Sequence, residues 1–458
     1  MKREIVKKTM MLLAISGMIF SGCGKEEKTY VPQKKTETEI SKSENDSELE
    51  TETEGISEGK NYKITTEYDL EDYASGYVIV SKNDGLLYGV IDKDGNEVIP
   101  VEYDNIQLVR GEEEESDKDE VYFVCEYEGE AVLIFLVVLG HFLLPIRGDN
   151  PLVVVKRLIY VFHMPLFVFI SGYFAKKIYK NGQYNFKKIL YLLKAYVVFI
   201  VAIQIVYAIA GFEKFTEIDF FSQSGAPWYL FAMIVWYLTI PLVRKCKAVP
   251  VLLLTVVLAL TAGYFKNVGD FLCLSRILVF GPFFYLGYFL EQKTLEKALQ
   301  PKLQRLVVPC AEAICIFILA YGARLKDSLG MVYENISYYE LEEVWKGPMV
   351  RLSLMIAAFL ISWAIMFFIP RGKTRLSVIG QNTMPVYMLH RILRDILMFA
   401  GIYDYLGDWG WIAFFILLGL SAGIVYVLNN SHVVNQVNRI LALHTPQLIR
   451  NLKRQRAR

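Results

Sequence analysis

The chain has 458 residues, of which 54% are hydrophobic and 21% charged, and its net charge is +1. That near-neutral balance argues against a polyanionic partner, so nucleic acid is excluded as a ligand. The averages hide a division: residues 24–130 are rich in Glu, Lys, Thr and Ser, whereas the remainder is dominated by Leu, Ile, Val, Phe and Tyr.

The first elements read as targeting and tether. Lys2, Arg3, Lys7 and Lys8 precede an apolar run from Met10 to Phe20 and then Ser21-Gly22-Cys23, the order of a secretory signal. Cys directly after Ser-Gly resembles a bacterial lipoprotein signal, which implies lipidation of Cys23; the other reading is an uncleaved anchor, for which the run is short. Residues 24–60 hold almost no large apolar side chain and predict a disordered linker. From Asn61 short β-type runs follow, with Asp-Gly turns at Asn83-Asp84-Gly85 and Asp92-Lys-Asp-Gly95, which predict hairpins over 61–130. The string from Gly85 to Asp104 resembles one unit of the WG-repeat family, with Tyr88 where Trp usually stands, and Val121 to Gly129 resembles half of a second. Such a segment suggests binding or scaffolding, and one and a half units are too few for an independent core.

After Glu130, apolar runs succeed one another at about 131–146, 153–175, 188–211, 228–243, 249–265, 274–290, 306–322, 349–369, 383–400 and 409–428. Most approach the roughly 20 residues that cross a bilayer core. Val251 to Leu260 is apolar on every side, unlike a surface helix of a soluble protein. The expected fold is therefore mainly α: a polytopic membrane bundle of about ten transmembrane helices over 131–430, preceded by the tether and the small hairpin segment, and followed by a basic tail, 431–458. Lys and Arg cluster in alternate loops (Lys176, Lys177, Lys180; Arg244, Lys245, Lys247; Lys293, Lys297, Lys302, Arg305; Arg371, Lys373, Arg375) and in the tail, which puts both ends of the bundle in the cytoplasm. A used signal would put Glu130 outside. The first span then fails to cross, or the signal is unused, or the chain joins two parts of separate origin; the last is the preferred reading.

Six cysteines, Cys23, Cys125, Cys246, Cys273, Cys310 and Cys315, show no paired spacing and no nearby histidine. The four in apolar segments read as small packing residues, and no metal site is expected. Histidine is more informative. Phe135-Leu-Val-Val-Leu-Gly-His-Phe142 sets an imidazole in an apolar helix, and Phe162-His-Met-Pro-Leu-Phe-Val-Phe-Ile-Ser-Gly-Tyr-Phe174 sets a second beside a helix-kinking Pro and a close-packing Ser-Gly pair. Ionisable groups inside a membrane are functional candidates by default.

These two segments resemble acyltransferase family 3, in particular its branch similar to fucose 4-O-acetylase. The resemblance continues in Pro227-Trp-Tyr-Leu-Phe-Ala-Met233, in the segment from Leu274 to Tyr288, and in Asn382-Thr-Met-Pro-Val-Tyr-Met-Leu-His-Arg391. It implies a ten-helix bundle of the bacterial cytoplasmic membrane that takes an acyl group, usually acetyl from acetyl-CoA, and sets it on a carbohydrate hydroxyl at or beyond the outer face. It also implies that the catalytic histidine is His141. An alcohol attacking a thioester needs a base that titrates near neutrality, which His supplies. The oxyanion needs a fixed cation, for which Arg276 is the first choice, its alternative being an interfacial arginine.

The other candidates keep two readings each. His163 is catalytic or orients the helices, and His390 lines a pocket or bonds between helices. Trp228 and Tyr229 stack on a sugar or anchor a helix end. Glu312 is a tuned partner within the site or simply faces another helix. One departure from the family stands out: a basic residue is usual eleven positions before the catalytic histidine, where it meets donor phosphate, and here that position is Glu130. Lys156 or Arg157 then compensates, or the chain has little activity. The expected partners are a carbohydrate acceptor, acyl-CoA and the lipid bilayer; an envelope-precursor transporter or flippase is the alternative function.

Overall fold

The structure, a computed structural model, describes residues 69–441 apart from 75–76, 83–86, 93–95, 104–106, 111–120, 125–127, 149, 181–182, 212–218, 222–224, 266–270, 326–330, 334–336, 342, 370–378 and 381. The expected signal with Cys23, the linker, and the basic end of the tail lie outside the described residues, as does Cys125. The chain divides into two compact units, one holding the strands up to Val124 and one holding everything from Cys125 onward.

In the first unit, β1 (Asp69–Ala74), β2 (Tyr77–Lys82), β3 (Leu87–Asp92) and β4 (Glu97–Tyr103) form an antiparallel meander in that order. Ile79 faces Val90 and Val78 faces Ile91 across β2 and β3, and all four are buried. Asp92 closes the following turn, its carboxylate accepting from the Asn96 backbone N–H at 2.9 Å and side-chain amide at 3.0 Å. β5 (Gln107–Arg110) and β6 (Val121–Val124) pair separately.

The second unit is helical. Its elements are α1 (Glu128–Leu143), α2 (Leu152–Phe174), α3 (Phe186–Ala210), α4 (Trp228–Val243), α5 (Ala248–Ala262), α6 (Leu274–Phe289), α7 (Gln292–Ala298), α8 (Pro301–Tyr321), α9 (Gly347–Met366), α10 (Thr383–Phe399), α11 (Ile402–Leu406), α12 (Trp411–Leu428) and α13 (Ser431–Leu441), with a two-residue ribbon β7 (Tyr179–Lys180) and β8 (Gln183–Tyr184) between α2 and α3. By length and composition, five helices among the described residues are fit to cross a membrane: α2, α3, α8, α9 with its preceding turn, and α12. Four more, α1 with α4, α5 and α6, are apolar but shorter. The expected ten runs thus resolve into five long helices, four short apolar ones, and α10, which carries Arg391, Arg394 and Asp395 and is strongly two-faced.

The pattern of burial departs from that of a soluble protein at both surfaces of the bundle. Lys156, His163, Arg276, Arg351, His390, Arg394 and Asp395 are buried, while Leu253, Leu254, Val257, Ile316, Phe317, Ile412 and Phe415 are exposed. Apolar atoms outside and ionisable groups inside are what a hydrocarbon solvent demands.

The helix α2 sits centrally, packed against α1, α6, α8 and α9. Its tightest contact is with α6, where two glycines remove the side chains that would hold the backbones apart. A Cβ on Gly172 would fall on the carbonyl oxygen of Phe284, and one on Gly287 on that of Phe169. A second lock is Tyr338, fully buried before α9. Its hydroxyl donates to Leu260 O at 2.7 Å, its N–H donates to Gly263 O at 2.8 Å, and the guanidinium of Arg351 lies 4.8 Å from its ring.

Candidate active site

The helices α1, α2 and α10 bring three histidines together. His141 stands in the last turn of α1, half-buried, and its ring meets that of His390 from α10 edge-to-face at 5.0 Å. The ring of Tyr160, from α2, lies nearly parallel to that of His141 at 6.3 Å, and Tyr160 meets His163 edge-on at 4.7 Å. Gly140 makes room for this, since a Cβ there would lie 3.3 Å from the Tyr160 ring.

Hydrogen bonds fix two of the three rings. His163 Nδ1 lies 2.8 Å from Ile159 O and His390 Nδ1 lies 2.8 Å from Val386 O, both one helical turn back. A carbonyl only accepts, so each Nδ1 carries the proton and each Nε2 carries a lone pair. His163 Nε2, His390 Nε2 and His141 Nδ1 are all buried and, among the described residues, none has a hydrogen-bond partner. Buried polar atoms are ordinarily satisfied, so three orphaned ring nitrogens in one cluster point to groups kept open for a ligand.

The same face of α10 continues with charge. Asp395 accepts from Arg391 Nε through one oxygen and from Arg394 Nε through the other, each at 2.8 Å, and Arg391 Nη2 donates to Tyr207 at 3.3 Å. Both arginines lie close enough to act electrostatically on His141 and His390. Tyr403 on α11 ties this corner to α1, its hydroxyl donating to Phe142 O at 2.9 Å. Burial pushes the Tyr403 hydroxyl above its ordinary range, with Arg394 opposing and Asp395 adding, so it stays a donor well into alkaline pH.

The remaining aromatic candidates extend the cluster. Tyr387 lies 6.2 Å from the His390 ring and 5.7 Å from that of Tyr229, and its hydroxyl donates to Ala226 O. Ser171 Oγ donates to Phe167 O at 2.7 Å, so Tyr229 is the donor in the 2.6 Å bond between the two hydroxyls. Trp228 stacks on Phe280 at 5.1 Å, and Arg276 is buried with its guanidinium 5.6 Å from the Trp228 ring. The backbone just before α6 is strained, for Leu272 and Cys273 both have positive φ, 50° and 53°.

Two expected residues stand elsewhere. Glu312 is exposed on α8, and among the described residues no hydrogen bond, ion pair or ring contact joins it to the histidines. Lys156 is buried and donates to Leu144 O at 3.2 Å and Ile146 O at 2.7 Å, so it closes the turn after α1 instead of presenting its ammonium outward. Arg157 beside it keeps a buried Nε with no partner among the described residues. Conversely, Tyr160, Arg394 and Asp395 belong to the cluster and were absent from the sequence reading. The available signal was the string His390-Arg-Ile-Leu-Arg-Asp395, whose charges in a helix of the bundle and i,i+4 spacing set a turn of ion pairs beside the histidine.

The model of acyltransferase family 3, described as an acyltransferase domain, matches residues 130–430. The nodulation protein NolL of Sinorhizobium fredii (strain NBRC 101917 / NGR234) is 24% identical over 298 residues, an alignment that covers 60% of this chain and 80% of NolL. No solved structure matches the chain significantly. A family match that spans more than half of the chain, and takes in every residue of the histidine cluster, shows that this protein belongs to acyltransferase family 3 and is a membrane acyltransferase.

Proposed function

We propose that the protein is an O-acetyltransferase of the bacterial cytoplasmic membrane that moves an acetyl group from acetyl-CoA to a carbohydrate hydroxyl of an envelope or exported glycan, with His141 as the general base. The observation that carries this reading is the set of three buried ring nitrogens without partners, converging from α1, α2 and α10. An imidazole held mostly dry can take the proton of an attacking hydroxyl, and its imidazolium can return that proton to the departing thiolate. His390 stands against His141 and limits where the acceptor can lie, while His163, bonded to its own helix and contacting Tyr160, fixes the far wall. Trp228 and Tyr229, at the other end of the cluster, are buried against Phe280, Phe167 and Tyr387, so contact with a sugar ring there would need these side chains to shift.

Because Lys156 is engaged by two carbonyls, Arg157 is the basic side chain of that pair left to meet donor phosphate. Loop charges orient the bundle with both ends cytoplasmic, which gives the donor access from the side where it is made.

The test is transfer of labelled acetyl from acetyl-CoA to cell-envelope glycans in membranes holding equal amounts of native protein and His141→Ala. An alkali-labile label in the glycan that depends on His141 is expected. Equal labelling by both proteins removes His141 from the mechanism, and glycan movement across the membrane without acetylation would favour a transporter.

A further inference from the structure

Behind the histidines, two guanidiniums share a single carboxylate. Asp395 is 1% exposed and Arg394 3% exposed, and Asp395 Oδ1 takes both Nε and Nη2 of Arg394 while Oδ2 takes Nε of Arg391. Among the described residues no second carboxylate pairs with either arginine. One negative charge cannot balance two positive ones, so a surplus positive charge is held where burial makes an uncompensated ion costly. Such a surplus is stable only if something negative arrives or if it is tolerated for function.

The surplus lies beside the open ring nitrogens. His390 and Arg394 are four residues apart on one face of α10, and Tyr403, which lies within electrostatic range of Arg394 and Asp395, bonds the carbonyl of Phe142, the residue after His141. Gly225 keeps the space next to Arg391 clear, since a Cβ there would lie 3.3 Å from Nη1. Arg276, by contrast, presents its guanidinium to the Trp228 ring, and the arginines that act electrostatically on His141 are Arg394 and Arg391.

We propose that Arg394, aligned with Arg391 by Asp395, is the group that stabilises the negative charge developing on the acyl carbonyl oxygen, the role the sequence assigned to Arg276. The inference rests on the acyl-transfer reading. In the step, the acceptor oxygen forms a bond to the thioester carbon as its proton passes to His141, and the carbonyl π pair moves onto oxygen beside Arg394. Collapse restores the carbonyl and breaks the C–S bond; the sulfur leaves with that electron pair and takes the proton from His141, giving ester and thiol. Asp395 does not touch the reacting atoms and is a positioning residue.

The experiment compares full-length native protein, His141→Ala, Arg394→Gln, Arg394→Lys, Arg394→Ala and Arg276→Gln in membranes at matched abundance, reading kcat and KM for acetyl-CoA. Arg394→Gln is expected to lower kcat by roughly 10²–10³-fold with KM changed by only a few-fold, the loss typical of removing one oxyanion donor. Arg394→Lys keeps the charge and the bond to Asp395, and is expected to lose about tenfold in kcat. Guanidinium ion added to Arg394→Ala is expected to restore part of kcat, which a purely structural arginine would not allow. A native-like kcat in Arg394→Lys together with no rescue of Arg394→Ala overturns the assignment, as does a kcat loss confined to Arg276→Gln. Absence of His141-dependent turnover in the native protein instead sinks the acyl-transfer reading itself.

Discussion

At the scale of single residues, the site is organised by which ring nitrogen each backbone carbonyl occupies. Ile159 and Val386 hold the Nδ1 atoms of His163 and His390 and so leave both Nε2 atoms bare. The histidines were legible in the sequence because an imidazole stands out in an apolar run. Tyr160 was not, since a tyrosine in such a run reads as packing, and only the fold shows its ring between His141 and His163. Charge alone leaves the direction of a side chain open at two positions. Glu312 is polar within an apolar helix but points outward, and Lys156 is basic but faces carbonyls. Sequence gives the presence of a charge and not its direction. Lys156→Met should therefore lower stability by about 1–3 kcal/mol, since two buried carbonyls lose their donor, and leave the donor KM unchanged. Thermal unfolding in detergent and acetyl-CoA titration check this together; a raised KM at native stability would return Lys156 to the donor site.

At the scale of elements, the crossing of α2 and α6 sets the distance between the two helices that carry His163 and Arg276. The Ser171-Gly172 pair was readable as a close-packing signal, whereas Gly287 gains its meaning only from the facing Phe169 carbonyl. Gly172→Ala and Gly287→Ala should each destabilise the protein by about 1–3 kcal/mol or more, because a methyl group meets rigid backbone at both places. Gly281, on the same helix α6, has nothing within 4 Å of its Cβ position, so Gly281→Ala should be neutral or mildly stabilising. Detergent-solubilised melting curves that rank the three substitutions otherwise would refute the crossing. Helix lengths were less legible than helix positions. The apolar run at 249–265 predicts a full span, yet α5 has 15 residues, because the segment after Gly263 turns to receive Tyr338. α10 was read by its apolar residues, while its buried face is set by His390, Arg394 and Asp395. α1 begins at Glu128, just ahead of the family match at 130.

At the scale of the whole molecule, the surface assigns the solvent: leucines and phenylalanines face outward on α5, α8 and α12, while Lys156, His163, Arg276, Arg351, His390, Arg394 and Asp395 are buried. Loop charge then makes a prediction about orientation that the fold can test. Cys246 is exposed in the short connection between α4 and α5, beside Arg244, Lys245 and Lys247. A membrane-impermeant maleimide should label Cys246 only after the cells are permeabilised, in a variant whose other cysteines are serine; labelling of intact cells would reverse the bundle and put the donor on the wrong side. The claim on which the rest depends is that His141 removes the proton from the acceptor hydroxyl. Its most direct test is the single-turnover rate of acetyl transfer by His141→Ala relative to the native protein, both saturated with acetyl-CoA and glycan. The account predicts a fall of about 10²–10⁴-fold, the usual contribution of a positioned base; a rate within a few-fold of native would contradict it.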